Sequence, residues 1–206
     1  MIAIVDYGRG NLGSVEKAFV RVGTPALVTS EARVVDEAEA VVLPGDGAFH
    51  DAMANLDALG LLPAIRRALD GTRPFLGICL GYQLLFSRSE EFGDWRGLDV
   101  IAGEVKRFPA GLKVPHMGWN SVEHGGRMRL FDGIPDGARF YFVHSYFPVA
   151  AQGGDLAVAW CEYGVRFAAA IERGRVYATQ FHPEKSQRWG IRLLENFAAI
   201  VKEARG

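Results

Sequence analysis

Ile2-Ala3-Ile4-Val5 is an unbroken apolar run, rich in β-branched residues, of the kind that forms a parallel strand buried on both faces. Helical spacing takes over after Asn11, which can N-cap a helix whose Leu12, Val15, Phe19 and Val22 share one face. Short apolar strands over 26–29 and 40–43 follow, then helical segments over 48–59 and 61–69, and a strand over 75–77. This alternation predicts an α/β fold: a doubly wound open sheet, mostly parallel with some antiparallel strands, with helices on both faces. From about Leu98 the pattern changes to closely spaced strands, over 100–108, 120–123, 140–144, 156–161, 167–171 and 176–180, several of them antiparallel. A helix over 191–201 turns Leu194, Phe197, Ala198 and Val201 inward. With no internal repeat, low-complexity tract or linker, residues 1–206 are expected to form one domain.

The sharpest break lies at Gly77-Ile78-Cys79-Leu80-Gly81-Tyr82-Gln83, where a buried strand (Arg73-Pro74-Phe75-Leu76) meets helical spacing at Leu80, Leu84 and Leu85. A side chain on such an elbow projects outward, and small flanking residues let backbone pass it closely, the role open to Gly77 and Gly81. The following helix turns its N-terminal dipole toward the sulfur and favours the reactive thiolate. Cysteine is more often a small core hydrophobe. That plainer role suits Cys161, a strand residue with no motif around it.

A cysteine nucleophile needs a base, and the base an orienting partner. Gln180-Phe181-His182-Pro183-Glu184 offers both, because Pro183 favours an extended residue before it and extended residues two apart project to one side. Alone, His182 and Glu184 would read as a surface ion pair at a strand end. Beside the elbow they read as a base and its carboxylate. The strand at 40–43 runs into Pro44-Gly45-Asp46-Gly47-Ala48-Phe49, a loop able to aim backbone N–H groups at a developing oxyanion, with the amide after Cys79, that of Leu80, as second donor. A carboxylate at Asp46 would oppose that charge, so its side chain is expected to point away. Sites in open α/β sheets form outside the carboxyl ends of strands, where residues 6–11, 44–49, Cys79 and His182 can all meet. His144-Ser145-Tyr146 pairs a serine with a histidine but has no elbow, and is expected to line the pocket.

Bulk properties narrow the class. With 206 residues the chain can bury roughly 70% of its extended surface. A formal net charge of −1 without a basic cluster supplies no field for nucleic acid or an anionic membrane. Two cysteines make no disulfide framework and suit a reducing compartment. Neither a basic leader nor a long apolar run is evident, so a soluble cytoplasmic protein is expected. The chemistry outlined calls for no cofactor and no metal.

Together the Gly-x-Cys-x-Gly-x-Gln elbow, the Pro-Gly-x-Gly loop and the late His-Pro-Glu resemble the class I (triad) glutamine amidotransferases. Within that family, Val5-Asp6-Tyr7-Gly8-Arg9-Gly10-Asn11-Leu12, Pro115-His116-Met117-Gly118-Trp119-Asn120 and His182-Pro183-Glu184-Lys185-Ser186-Gln187 are similar to the glutaminase subunits of imidazole glycerol phosphate synthases. The resemblance implies hydrolysis of L-glutamine, with ammonia passed to a separate (β/α)8-barrel cyclase in histidine biosynthesis, and poor hydrolysis by the isolated subunit. It implies Cys79 as nucleophile, His182 as general acid/base and Glu184 as its orienting carboxylate, with oxyanion donors from the backbone of Asp46 and Leu80. Glutamine binding would fall to Gly45, Gly47, Gln83, Ser145 and Tyr146, with Gln83 supplying an amide of either kind. The cyclase would meet Asn11, Lys185 and a short loop carrying Met117 and Trp119. An aromatic in such a loop can instead cap the core. Two other readings share parts of this pattern: the glutaminase subunit of anthranilate or aminodeoxychorismate synthase, and a non-catalytic reactive-cysteine sensor, which would need neither Glu184 nor Gln83.

Overall fold

A computed structural model describes residues 1–151 and 155–204. Strands β1 (Ile2–Val5), β2 (Ala26–Thr29), β3 (Ala40–Leu43) and β4 (Phe75–Ile78) alternate with helices α1 (Leu12–Arg21), α2 (Ala32–Glu37), α3 (Phe49–Ala58) and α4 (Leu62–Ala68). A single helical turn, α5 (Leu80–Gln83), precedes β5 (Phe86–Ser89), β6 (Trp95–Arg96), β7 (Ile101–Arg107), β8 (His116–Ser121), β9 (Arg139–His144) and β10 (Tyr146–Ala150). Then come β11 (Ala157–Glu162), β12 (Arg166–Arg173), β13 (Val176–Thr179) and α6 (Gln187–Glu203). The main sheet runs β11-β12-β13-β4-β3-β1-β2, parallel from β13 to β2 and antiparallel across β11, β12 and β13.

Why such short strands hold together follows from burial on both faces. Ile2, Ile4, Ala40, Val42, Leu76 and Ile78 pack under Val15 and Phe19 of α1 and Leu194 and Phe197 of α6. Their neighbours in sequence, Ala3, Val5, Val41, Leu43 and Phe75, pack under α3 and α4 through Phe49, Ala52, Leu56, Ala64 and Ile65. A fully buried large apolar side chain contributes about 1.5–3 kcal/mol, so four residues with two buried faces suffice. Asn11 caps α1 by accepting from the Ser14 amide at 3.4 Å. Among the described residues no helix is long and apolar enough to cross a membrane.

The alternating first half, the antiparallel additions and the helices on both faces match the sequence-based expectation. The spacing did not foretell helix α2, and three further features differ. The elbow helix stops at Gln83, because the carbonyl of Leu84 accepts from Leu98 at 2.8 Å and that of Leu85 from Val100 and Ile101 at 2.9 Å each, which diverts the chain into β5. That strand and β6, β7 and β10 build a second sheet, ordered β10-β7-β5-β6, of which only β7 was foreseen. Residues 116–119 are not a loop: β8 begins at His116 and pairs with β9, His116 opposite His144. Gly118 and the mixed polarity of the segment conceal that strand in the sequence.

Candidate active site

Cys79 sits where β4 gives way to α5 with φ 55° and ψ −107°, a conformation that side chains other than glycine rarely adopt. Both neighbours of the turn approach too closely for a side chain. A Cβ on Gly77 would lie 2.9 Å from the Gly81 carbonyl oxygen, and one on Gly81 would lie 1.8 Å from that of Leu43. The Cys79 amide donates to the Thr179 carbonyl at 2.8 Å, tying the elbow to the end of β13. Cys79 is 7% exposed, and that small opening faces a cavity of about 420 Å³ lined also by Asp46, Gly47, Leu80, Gln83, Ser145, Tyr146, His182 and Lys185.

His182 enters from the far side of β4. Its backbone is extended, as a residue before proline tends to be, but Pro183–Lys185 then closes a 3-10 turn instead of continuing the extended chain. The turn still brings Glu184 Oε1 to 2.8 Å from His182 Nδ1, with the carboxylate almost wholly enclosed. Nδ1 therefore carries a proton and Nε2 faces the sulfur side. Burial lowers the basicity of His182, but the charge of the Cys79 sulfur and the Glu184 carboxylate outweigh it and raise the pKa to about 10. Nε2 is buried facing the sulfur, whose charge is the largest influence raising its basicity.

Asp46 turns its carboxylate away from the elbow, accepting from the Gly10 amide at 3.0 Å. Gly45 is packed beneath the loop, where a Cβ would meet the Tyr7 hydroxyl at 1.9 Å, so close approach explains this glycine. Gln83 is more constrained than its sequence suggested. Its Nε2 donates to the Tyr146 carbonyl at 2.9 Å and to Gln180 Oε1 at 3.0 Å, so both amide protons are taken and only Oε1, an acceptor, remains for a ligand.

Sequence reasoning missed two residues here. Glu91 lines the cavity and accepts from the Phe49 amide at 2.7 Å, and burial raises its pKa. As the second of two adjacent acids after an unforeseen strand, it carried no signal. Gln180, wholly buried, donates from Nε2 to Cys79 Sγ at 3.7 Å. Its signal was available: a primary amide at the end of an apolar strand, two residues before His182.

His144 lines the cavity with His116 behind it, His116 Nδ1 and His144 Nε2 lying 2.9 Å apart and His144 Nδ1 2.8 Å from the Tyr146 carbonyl. Since a carbonyl only accepts, His144 carries its proton on Nδ1 and receives one from His116. Burial pushes His116 down to about 4. It also pushes His144 down to about 3, against the Tyr146 carbonyl and with help from the charges of His116 and His182. Both stay neutral in the native state, while an unfolded chain protonates them near 6.5. Stability should therefore fall as pH drops from about 6.5 toward 5, above the ordinary carboxylate range. Urea midpoints measured from pH 7 to 5 should decline, and a His116→Gln/His144→Gln variant should flatten that decline. A flat wild-type profile would contradict the neutral pair.

Of the remaining sequence candidates, Lys185 lines the cavity and the others do not. Met117 and Trp119 share the outer face of β8 at 62% and 38% exposure, so Trp119 does not cap the core. Asn11 caps α1, and Lys185 is exposed at the cavity rim. Cys161 is a free thiol in β11 pushed up to about 12 by burial, as befits an inert packing residue.

Residues 3–201 match the family model of the class-I glutamine amidotransferases. Full-length relatives include imidazole glycerol phosphate synthase subunit HisH of Moorella thermoacetica, 54% identical over 98% of this chain and 96% of that protein. The same subunit of Geobacter sulfurreducens is 52% identical over 97% and 98%, and that of Methanothermobacter thermautotrophicus 50% over 98% and 100%. A solved glutamine amidotransferase superposes with a TM-score of 0.74 at 20% identity, covering 98% of this chain and all of that one. The glutaminase domain of Trypanosoma brucei CTPS, with bound acivicin, gives 0.67 at 16%, over 98% and 93%.

Proposed function

Because this chain belongs to the class I glutamine amidotransferases, we propose that it is the glutaminase subunit of an imidazole glycerol phosphate synthase, hydrolysing L-glutamine and passing ammonia to a cyclase. The observation that carries the chemistry is one cavity holding the strained Cys79 elbow and His182, with Glu184 bonded behind the imidazole. The Cys79 sulfur, having passed its proton to His182 Nε2, attacks the side-chain carboxamide carbon of glutamine. Negative charge gathering on the oxygen is received by backbone N–H groups at Leu80 and in the Asp46 loop. As the C–N bond breaks, His182 Nε2 gives its proton to the departing nitrogen, which leaves as ammonia. Nε2 then takes a proton from water attacking the thioester, and glutamate is released. Glu184 keeps the proton on Nδ1 and stabilises the imidazolium throughout.

Glutamine also presents an ammonium and a carboxylate. Gln83 Oε1 and the buried Glu91 carboxylate are acceptors at the cavity wall, and Glu91 is the group suited to the ammonium. Gly47, Ser145 and Tyr146 complete the wall. Glu91→Gln is expected to raise KM for glutamine about ten-fold with kcat largely kept, since a hydrogen bond to a charged group is worth about 1.5–3 kcal/mol. An unchanged KM in steady-state assays would remove Glu91 from this role.

Met117, Trp119, Asn11 and Lys185 form the proposed contact with a (β/α)8-barrel cyclase, an exposed aromatic and methionine being typical of interface centres. The pair would be a cytoplasmic heterodimer whose joint reaction is a lyase step. The test is glutamate and ammonia release with and without that cyclase. Equal yields of both products, formed faster in the complex, are expected. No glutamate with the cyclase present would overturn the reading, and an equal rate for the isolated chain would remove the dependence on the partner.

A further inference from the structure

We propose that Gln180 is a further catalytic residue, a fixed side-chain N–H donor to the Cys79 sulfur; the inference rests on the glutaminase reading of that cysteine. Gln180 follows the last residue of β13, and its amide donates to the Ala169 carbonyl at 2.7 Å, which fixes the start of its side chain. The side chain is fully buried, with Nε2 3.7 Å from Cys79 Sγ, a length that suits the large sulfur atom.

The direction of the Gln180 amide is forced by its neighbours. The Tyr146 carbonyl can only accept, so the Gln83 group facing it at 2.9 Å must be Nε2. The same Nε2 faces Gln180 at 3.0 Å, so the Gln180 atom there must be Oε1. A flipped Gln180 would set its Nε2 against Gln83 Nε2 and its Oε1 against the sulfur, two repulsive contacts at a buried side chain. His144 Nδ1, 2.8 Å from the same Tyr146 carbonyl, holds that oxygen in place from the other side. The chain of donors thus ends by aiming an N–H at Cys79.

That donor matters because of what else surrounds the sulfur. The Val143 carbonyl, 3.9 Å from Sγ, can accept from a thiol but repels a thiolate. Gln180 Nε2 has the opposite preference: it favours the anion before attack, and again when sulfur departs from the tetrahedral adduct formed by water. Unlike His182, it does so without exchanging a proton.

The experiment compares Gln180→Met, which keeps length and loses the donor, with Gln180→Glu, which sets a carboxylate oxygen where Nε2 was. Each is assayed in the cyclase complex for kcat and KM, and without glutamine for alkylation of Cys79 by iodoacetamide, followed by peptide mass. Gln180→Met should lower kcat and the alkylation rate together by about ten-fold, with KM nearly unchanged and the thermal midpoint within a few degrees. Gln180→Glu should lower both further. Wild-type alkylation in Gln180→Met would overturn the proposal. Should the Gln180 variants not fold, Gln83→Met decides: it releases the constraint on Gln180 Oε1 and should slow alkylation, and an unchanged rate overturns the orienting relay. If wild-type Cys79 is alkylated no faster than Cys161, the glutaminase reading itself fails, an outcome distinct from the others.

Discussion

Cys79→Ala in complex with the cyclase should form glutamate at less than about one-thousandth of the wild-type rate while still binding glutamine within a few-fold. The two halves of this expectation come from different parts of the site. The proposed acceptors for the substrate lie on Gln83 and Glu91, neither of which depends on the sulfur for its position. The covalent step has no substitute nucleophile, because Cys161 is buried in β11 and Ser145 lacks an elbow. His182 alone could activate water, but the strained turn at Cys79 aims a side chain, not a solvent molecule, at the cavity. Residues that act as a unit lose their effect together, so adding His182→Ala should cost little more. Coupled detection of glutamate and calorimetry with glutamine measure the two quantities. Glutamate release above about a tenth of wild type would show that Cys79 is not the nucleophile.

How far the sequence disclosed this site depended on whether a feature was local. Gly77 and Gly81 around Cys79 could be understood from sterics alone, because a strand that reverses into a helix leaves no room for side chains on either side of the turn. The buried strands of the first half were equally plain, since burial on both faces writes itself as continuous apolar runs at 2–5 and 40–43. Legibility ended where a distant segment set the local conformation. The spacing of Leu80, Leu84 and Leu85 promised a longer helix, and only the amides of Leu98, Val100 and Ile101 show why it stops after one turn. The fixed polarity of Gln83 and Gln180 is of the same kind: it originates at the Tyr146 carbonyl, far away in the chain. His182 and Glu184 met through a 3-10 turn where an extended strand was expected, because spacing constrains which side chains can meet but not by which path.

Gly81→Ala is expected to be among the most damaging single methyl groups added to this chain. The new Cβ would sit 1.8 Å from the Leu43 carbonyl oxygen and 2.7 Å from its carbon, and both are backbone atoms that no rotamer change can clear. Moving them means prising β3 from β4 at Leu43 opposite Gly77, in the middle of the parallel sheet. Overpacking ordinarily costs about 1–3 kcal/mol, and a clash with a central strand lies at or above the top of that range. At about 2–4 °C per kcal/mol for a domain of this size, the thermal midpoint should fall by roughly 10 °C. Gly13→Ala is the matched control, since it lies in α1 with nothing within 4 Å of the added carbon. It should be neutral or stabilise by up to about 1 kcal/mol through helix propensity. The same displacement at residue 81 would shift Leu80 and Cys79 against the Pro44–Gly47 loop, so glutaminase activity per folded molecule should fall as well. Thermal denaturation and active-site titration of both variants measure the contrast. Equal midpoints for Gly81→Ala and Gly13→Ala would mean that the close approach of α5 to β3 is not what shapes the elbow.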